Sequence, residues 1–154
     1  MSDLPPVRSR RDWASWTGVA VAGVLCVLAA LLPWIQVPVG FERLQVKGTD
    51  RAAGLVVLVI GIALLALSAA AARRPAMRLA AMWPAVLGLV LAGIAWLSWS
   101  WAHDVLHQDV PGLGVHPGRT GAGLRVLIAA AVLVLATAAQ AHYATRSAAV
   151  TAEE

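Results

Sequence analysis

Four apolar runs of about twenty residues, each without an Asp, Glu, Lys or Arg side chain, constrain this chain more than any other feature. They cover 16–35, 52–72, 79–102 and 126–145. A hydrocarbon core about 30 Å thick is crossed by roughly 20 helical residues, so each run has the length of a membrane span. The composition agrees: 60% of the chain is hydrophobic and 13% charged, against roughly 45–50% and about 25% in ordinary soluble domains. Mean hydropathy is +0.75. A soluble fold of 154 residues leaves too much of its chain at the surface to hide that much apolar area. The expectation is an all-α integral membrane protein with four transmembrane helices at about 16–35, 52–72, 79–102 and 124–143. The transmembrane domain then occupies 13–145, between a tail at 1–12 and another at 146–154.

The charges set the orientation. Arg8, Arg10, Arg11, Arg73, Arg74, Arg78 and Arg146 fall on one side of the spans, and Arg43, Lys47, Arg51, Arg119 and Arg125 on the other. The short link between the second and third spans carries three of the seven arginines and no acid. By the positive-inside rule both termini face the cytoplasm, and the expected location is the cell (plasma) membrane. The net charge of +4 is accounted for by this clustering, so no nucleic-acid partner is expected. Arg10 and Arg11 before the first span faintly resemble an export signal, but the apolar run is too long and no Ala-x-Ala site follows. That helix is expected to stay.

Tryptophan marks the membrane boundary, since its ring is apolar and its N–H wants a polar partner. Trp16 and Trp34 bracket the first span and Trp83 and Trp101 the third. Each pair is eighteen residues apart, which as helix rises about 27 Å. All four are expected at the membrane interface. Ala53-Gly54-Leu55-Val56-Val57-Leu58 and Ala122-Gly123-Leu124-Arg125-Val126-Leu127 match at five of six positions, which suggests two tandem helical hairpins.

Gly18, Ala22, Cys26 and Ala30 recur every fourth residue and form a stripe of small side chains, with a shorter one at Pro84, Gly88 and Ala92. Such stripes let helices approach closely in lipid. They fit packing inside a four-helix bundle, docking onto another membrane subunit, or self-association. Cys26 is the single cysteine, so neither an intrachain disulfide nor a Cys-x-x-Cys redox pair can form.

No ionisable Asp, Glu, Lys or Arg lies in the middle of any span, which argues against a proton-coupled transporter. Between spans one and two, 36–51 alternates loosely and reads as a short hairpin with breaks at Gly40 and Gly48. The remaining chemistry lies in the second outer loop. His103 and His107 are four apart, so they share a face if the third helix continues, and Asp109 follows from the turn. Two imidazoles and a carboxylate can hold zinc or copper; a solvated loop explains the same residues. His116 lies farther along this loop. His142 lies at the opposite membrane face, so it cannot share a haem iron with the loop histidines. No catalytic constellation and no resident cofactor are expected.

Leu31-Leu32-Pro33-Trp34 at the end of the first span, then a Gly- and Asp-bearing loop, then Ala53-Gly54-Leu55, resembles small actinobacterial-type, Trp-rich, four-helix membrane proteins of unknown function. The likeness covers mainly 16–72 and implies no catalytic residues. The expected role is a non-enzymatic accessory, scaffold or assembly subunit of a larger membrane complex. Its alternatives are an extracytoplasmic metal-handling protein using His103, His107 and Asp109, or passive passage of lipid or small solutes.

Overall fold

The structure, a computed structural model, describes residues 10–39, 42–73, 82–107 and 118–150, with side chains placed for 16–37, 44–73, 83–106 and 118–143. Among these residues there are four helices: α1 (Arg10–Leu31), α2 (Ala52–Arg73), α3 (Met82–His107) and α4 (Ala122–Val150). Strands β1 (Pro33–Val39) and β2 (Glu42–Lys47) and a 3-10 turn, Gly48–Asp50, join α1 to α2; β3 (Arg119–Thr120) precedes α4. Three helical segments are long and apolar enough to cross a membrane: Ala52–Arg73, Trp83–Leu106 and Ala122–Tyr143. The apolar part of α1, Trp16–Leu31, is shorter.

The first helix stops earlier than the apolar run that contains it. The run continues to Ile35, but α1 ends at Leu31. Pro33 is the cause, because it has no N–H to donate and disfavours helical backbone in the residue before it. A further helical turn would pair residue 33 with the Ala29 carbonyl. Proline leaves that carbonyl without its helical donor. The indole of Trp34 takes over, its Nε1–H donating to the Ala29 oxygen at 2.8 Å. Trp34 is thereby drawn into the protein and is not an exposed ring at a helix end. It lies on β1, 2% exposed, inside the protein.

The hairpin expected over 36–51 is present and starts earlier, at Pro33. β1 pairs antiparallel with β2, and its register shifts between Pro33 and Ile35. Irregularities of this kind re-aim a side chain, and the residue at the shift is Trp34. β1 also pairs antiparallel with β3, through Ile35 with Thr120 and Gln36 with Arg119, giving the order β2-β1-β3. The two connections between helices on this side of the molecule thus join into one small sheet capping the bundle.

Within the bundle, α1 lies between α2 and α4, α3 packs on α4, and α2 and α3 meet only sparsely. Small residues on α1 make its central position possible. Ala22, Cys26, Ala29 and Ala30 are fully buried. A Cβ on Gly18 would collide with Thr137 of α4, and one on Gly61 would lie 2.9 Å from the Cys26 Cβ and 3.0 Å from the Gly23 carbonyl oxygen. On α3, a Cβ at Gly88 would lie 2.9 Å from Val134 of α4. Ala92 is half-buried against the same core. The stripe accordingly packs within the chain: Ala22, Cys26 and Ala30 are fully buried, and Gly18, half-buried, lies against Thr137.

Candidate functional site

The sheet end of the bundle is organised around Trp34. The helix end supplies the Ala29 carbonyl, and the backbone carbonyl of Trp34 accepts the Gly121 N–H at 2.7 Å. Gly48 and Gly123 approach the indole so closely that an added Cβ would lie 2.6 Å from Nε1 and 2.7 Å from Cδ1, respectively. Both matching Ala-Gly-Leu segments therefore have a local purpose. Gly54 lets the start of α2 rest on the Gly48 backbone, and Gly123 lets the start of α4 rest on Trp34.

Nearby, Arg51 places its guanidinium 3.2 Å from the ring centroid of Trp101. This cation–π contact ties the start of α2 to the last turns of α3, two helices that otherwise touch little. Asp50 closes the turn before it, accepting the Lys47 backbone N–H at 2.8 Å. Trp101 is half-buried, as is Trp16, whose ring packs against the core. Trp83 is 57% exposed near the other end of α3.

A cleft of about 280 Å³ opens at this end, its described lining being Trp99, His103, Leu106, Gly118, Arg119, Thr120 and Arg125. Small-molecule sites span about 300–1,000 Å³, so this one suits a small group rather than a large ligand. Its α3 wall comes from Trp99, His103 and Leu106, at i, i+4 and i+7, which share one helix face. Its other wall is β3 and the first turn of α4. The sheet pairing of Arg119 with Gln36 sets the position of that wall. Arg119 and Arg125 are exposed side chains whose guanidinium groups pair with no carboxylate among the described residues. Arg125 also sits in the first turn of α4, where no acidic residue is present and the helix dipole disfavours a cation.

Of the residues expected to bind metal, His103 lines this cleft. α3 runs unbroken to His107, so the two histidines do lie four apart on one helix. The His107 side chain and Asp109 lie outside the described residues, as does His116. Among the described residues no group of three or more His, Cys, Asp or Glu could hold a metal ion.

In the sequence Arg119 and Arg125 read only as charges between spans, two arginines six residues apart, and Thr120 carries no motif. What the sequence lacks is their proximity to Trp99 and His103, some twenty residues earlier. Comparison with protein-family models, curated proteins and solved structures gave no match, so these residues alone carry the functional argument.

Proposed function

We propose that the protein is a four-span integral membrane protein with both termini cytoplasmic, acting without catalysis as an accessory or assembly subunit of a membrane complex. The observation that carries the embedding is the outer surface of the bundle. All four helices expose large apolar side chains, among them Val24, Val59, Leu89, Leu97 and Val132. Soluble monomers do not carry apolar surface so extensive, and lipid satisfies it. α1 belongs with the other three because its buried stripe sets it at the centre of the bundle, between α2 and α4. The sheet end is then extracytoplasmic.

Cysteine accessibility tests the topology. In a Cys26→Ser background, Leu44→Cys is expected to react with a membrane-impermeant maleimide on intact cells, and Arg73→Cys only after permeabilisation. The reverse pattern, or reaction of both, would refute it.

The subunit role is supported by the outer face of α3. Gly93 is exposed with nothing within 4 Å of an added Cβ, so no contact inside this chain calls for a glycine there. Small residues on outer helix faces admit a neighbouring helix. Gly93→Leu is expected to be at least as thermally stable as wild type and to lose a subunit that co-purifies in mild detergent; unchanged co-purification would count against the role. Gly18→Leu is unsuited to the same purpose, since it would break the α1–α4 contact.

The second reading, metal handling at His103 and His107, is favoured by the unbroken run of α3 to His107. Equal metal content in wild type and a His103→Ala/His107→Ala variant would refute it.

A further inference from the structure

We infer that the cleft between α3 and the start of α4 is a binding site for a phosphate group of net negative charge, with the headgroup of an anionic phospholipid as its natural source. The inference rests on the membrane embedding proposed above, which places the cleft at the extracytoplasmic boundary. Its chemistry comes from the lining. Arg119 and Arg125 both line one cleft of about 280 Å³, together with Thr120, and no carboxylate is among its described lining residues. Two cations in one cleft repel each other, and Arg125 is further opposed by the α4 dipole. An anion held between them reverses both effects. Guanidinium is suited to this task, since its planar fork matches the oxygens of a phosphate bidentately.

The apolar surroundings specify the source. Trp99, 41% exposed, forms part of the cleft wall, and Trp96, 74% exposed, lies one turn before it on the same face of α3. A headgroup in the cleft would leave its acyl chains running along that apolar stretch of α3. A free phosphate ion would use the arginines and leave the exposed α3 surface untouched.

The experiment uses the full chain in neutral detergent, with thermal unfolding followed on adding phosphatidylglycerol, phosphatidylcholine or inorganic phosphate. For wild type, phosphatidylglycerol at about a hundredfold excess over its dissociation constant is expected to raise the unfolding temperature by about 5–10 °C. Phosphatidylcholine is expected to do much less. Arg119→Gln and Arg125→Gln are each expected to weaken the phosphatidylglycerol effect by about tenfold or more in apparent affinity. Both side chains are exposed and each substitution removes one of two repelling charges, so the variants without lipid are expected to be at least as stable as wild type. Arg73→Gln, the same charge change at the opposite end of the bundle, is expected to bind like wild type.

A response to inorganic phosphate equal to that of phosphatidylglycerol, and lost in the same two variants, would support the phosphate chemistry and identify a free ion as the source. Equal stabilisation by phosphatidylcholine and phosphatidylglycerol, or equal losses in Arg73→Gln and the two cleft variants, would overturn the site. Cysteine labelling reports on membrane embedding independently, so failure of the cleft leaves that result standing and failure of the embedding is seen separately.

Discussion

Replacing Trp34 separates the two roles that the structure assigns to it. Its Nε1–H satisfies the Ala29 carbonyl at 2.8 Å, because Pro33 cannot. Its ring fills the space between Gly48 and Gly123. Trp34→Phe keeps an aromatic ring but removes the donor, leaving a buried carbonyl unpaired; the expected loss is about 1–3 kcal/mol. Trp34→Ala also opens a cavity and is expected to lose about 3–5 kcal/mol. For a chain of this size each kcal/mol lowers the unfolding temperature by about 2–4 °C. Trp34→Phe should therefore unfold roughly 2–12 °C lower and Trp34→Ala roughly 6–20 °C lower. Trp83→Ala, at a position 57% exposed, serves as the surface control and is expected within about 0.5 kcal/mol of wild type.

The assay heats detergent-solubilised protein and measures the fraction that remains a monodisperse peak on size exclusion. Pro33→Ala sharpens the test, since it restores a backbone donor at position 33. In that background the added loss from Trp34→Phe is expected to shrink. Equal shifts for Trp34→Ala and Trp83→Ala would refute the burial of Trp34. A Trp34→Phe protein as stable as wild type would refute the account of the Ala29 carbonyl while leaving the ring's packing intact.

Other expectations follow from individual contacts. Gly61→Ala places a methyl group 2.9 Å from the Cys26 Cβ and is expected to destabilise by about 1–3 kcal/mol. Gly93→Ala meets nothing within 4 Å and is expected to stabilise by about 0.5–1 kcal/mol through helix propensity alone; the same thermal assay distinguishes them. Cys26, fully buried, is expected to resist a small maleimide in the folded protein and to react stoichiometrically in denaturant, as read by intact mass. Removing the Arg51 guanidinium from Trp101 with Arg51→Ala is expected to lower stability by about 0.5–2 kcal/mol. In a double-mutant cycle the Arg51 effect should largely vanish once Trp101 is Ala; full additivity would show that the contact contributes nothing.

Helix number and the presence of a hairpin after the first helix are readable from the chain, because both depend on local chemistry. Long runs such as 52–72 have no charge to hydrate, and the loosely alternating segment beyond Gln36 suits a strand. The same local rules cover Pro33, whose effect on α1 was available from its missing N–H. Trp34 nevertheless looks from sequence like a boundary tryptophan, since its burial depends on a β1 register shift and on glycines fourteen and eighty-nine residues away.

Which face of each helix turns inward is a different matter. An amphipathic helix advertises its buried side by contrast with polar residues, but a helix surrounded by apolar environments carries no such contrast. On α2, buried Val57 and Leu64 and exposed Leu55 and Val59 are the same kinds of residue. The small-residue stripe on α1 correctly marks a surface of close approach, yet nothing in it says whether the neighbour is α2, α4 or another chain. That was settled by Thr137 lying against Gly18 and Gly61 against Cys26. The cleft arises in the same way: Arg119 and Arg125 meet Trp99 and His103 because β3 pairs with β1 and α4 packs on α3. Local hydropathy and backbone chemistry write the elements into the chain. Their partners depend on shape complementarity between distant segments, which no local pattern records.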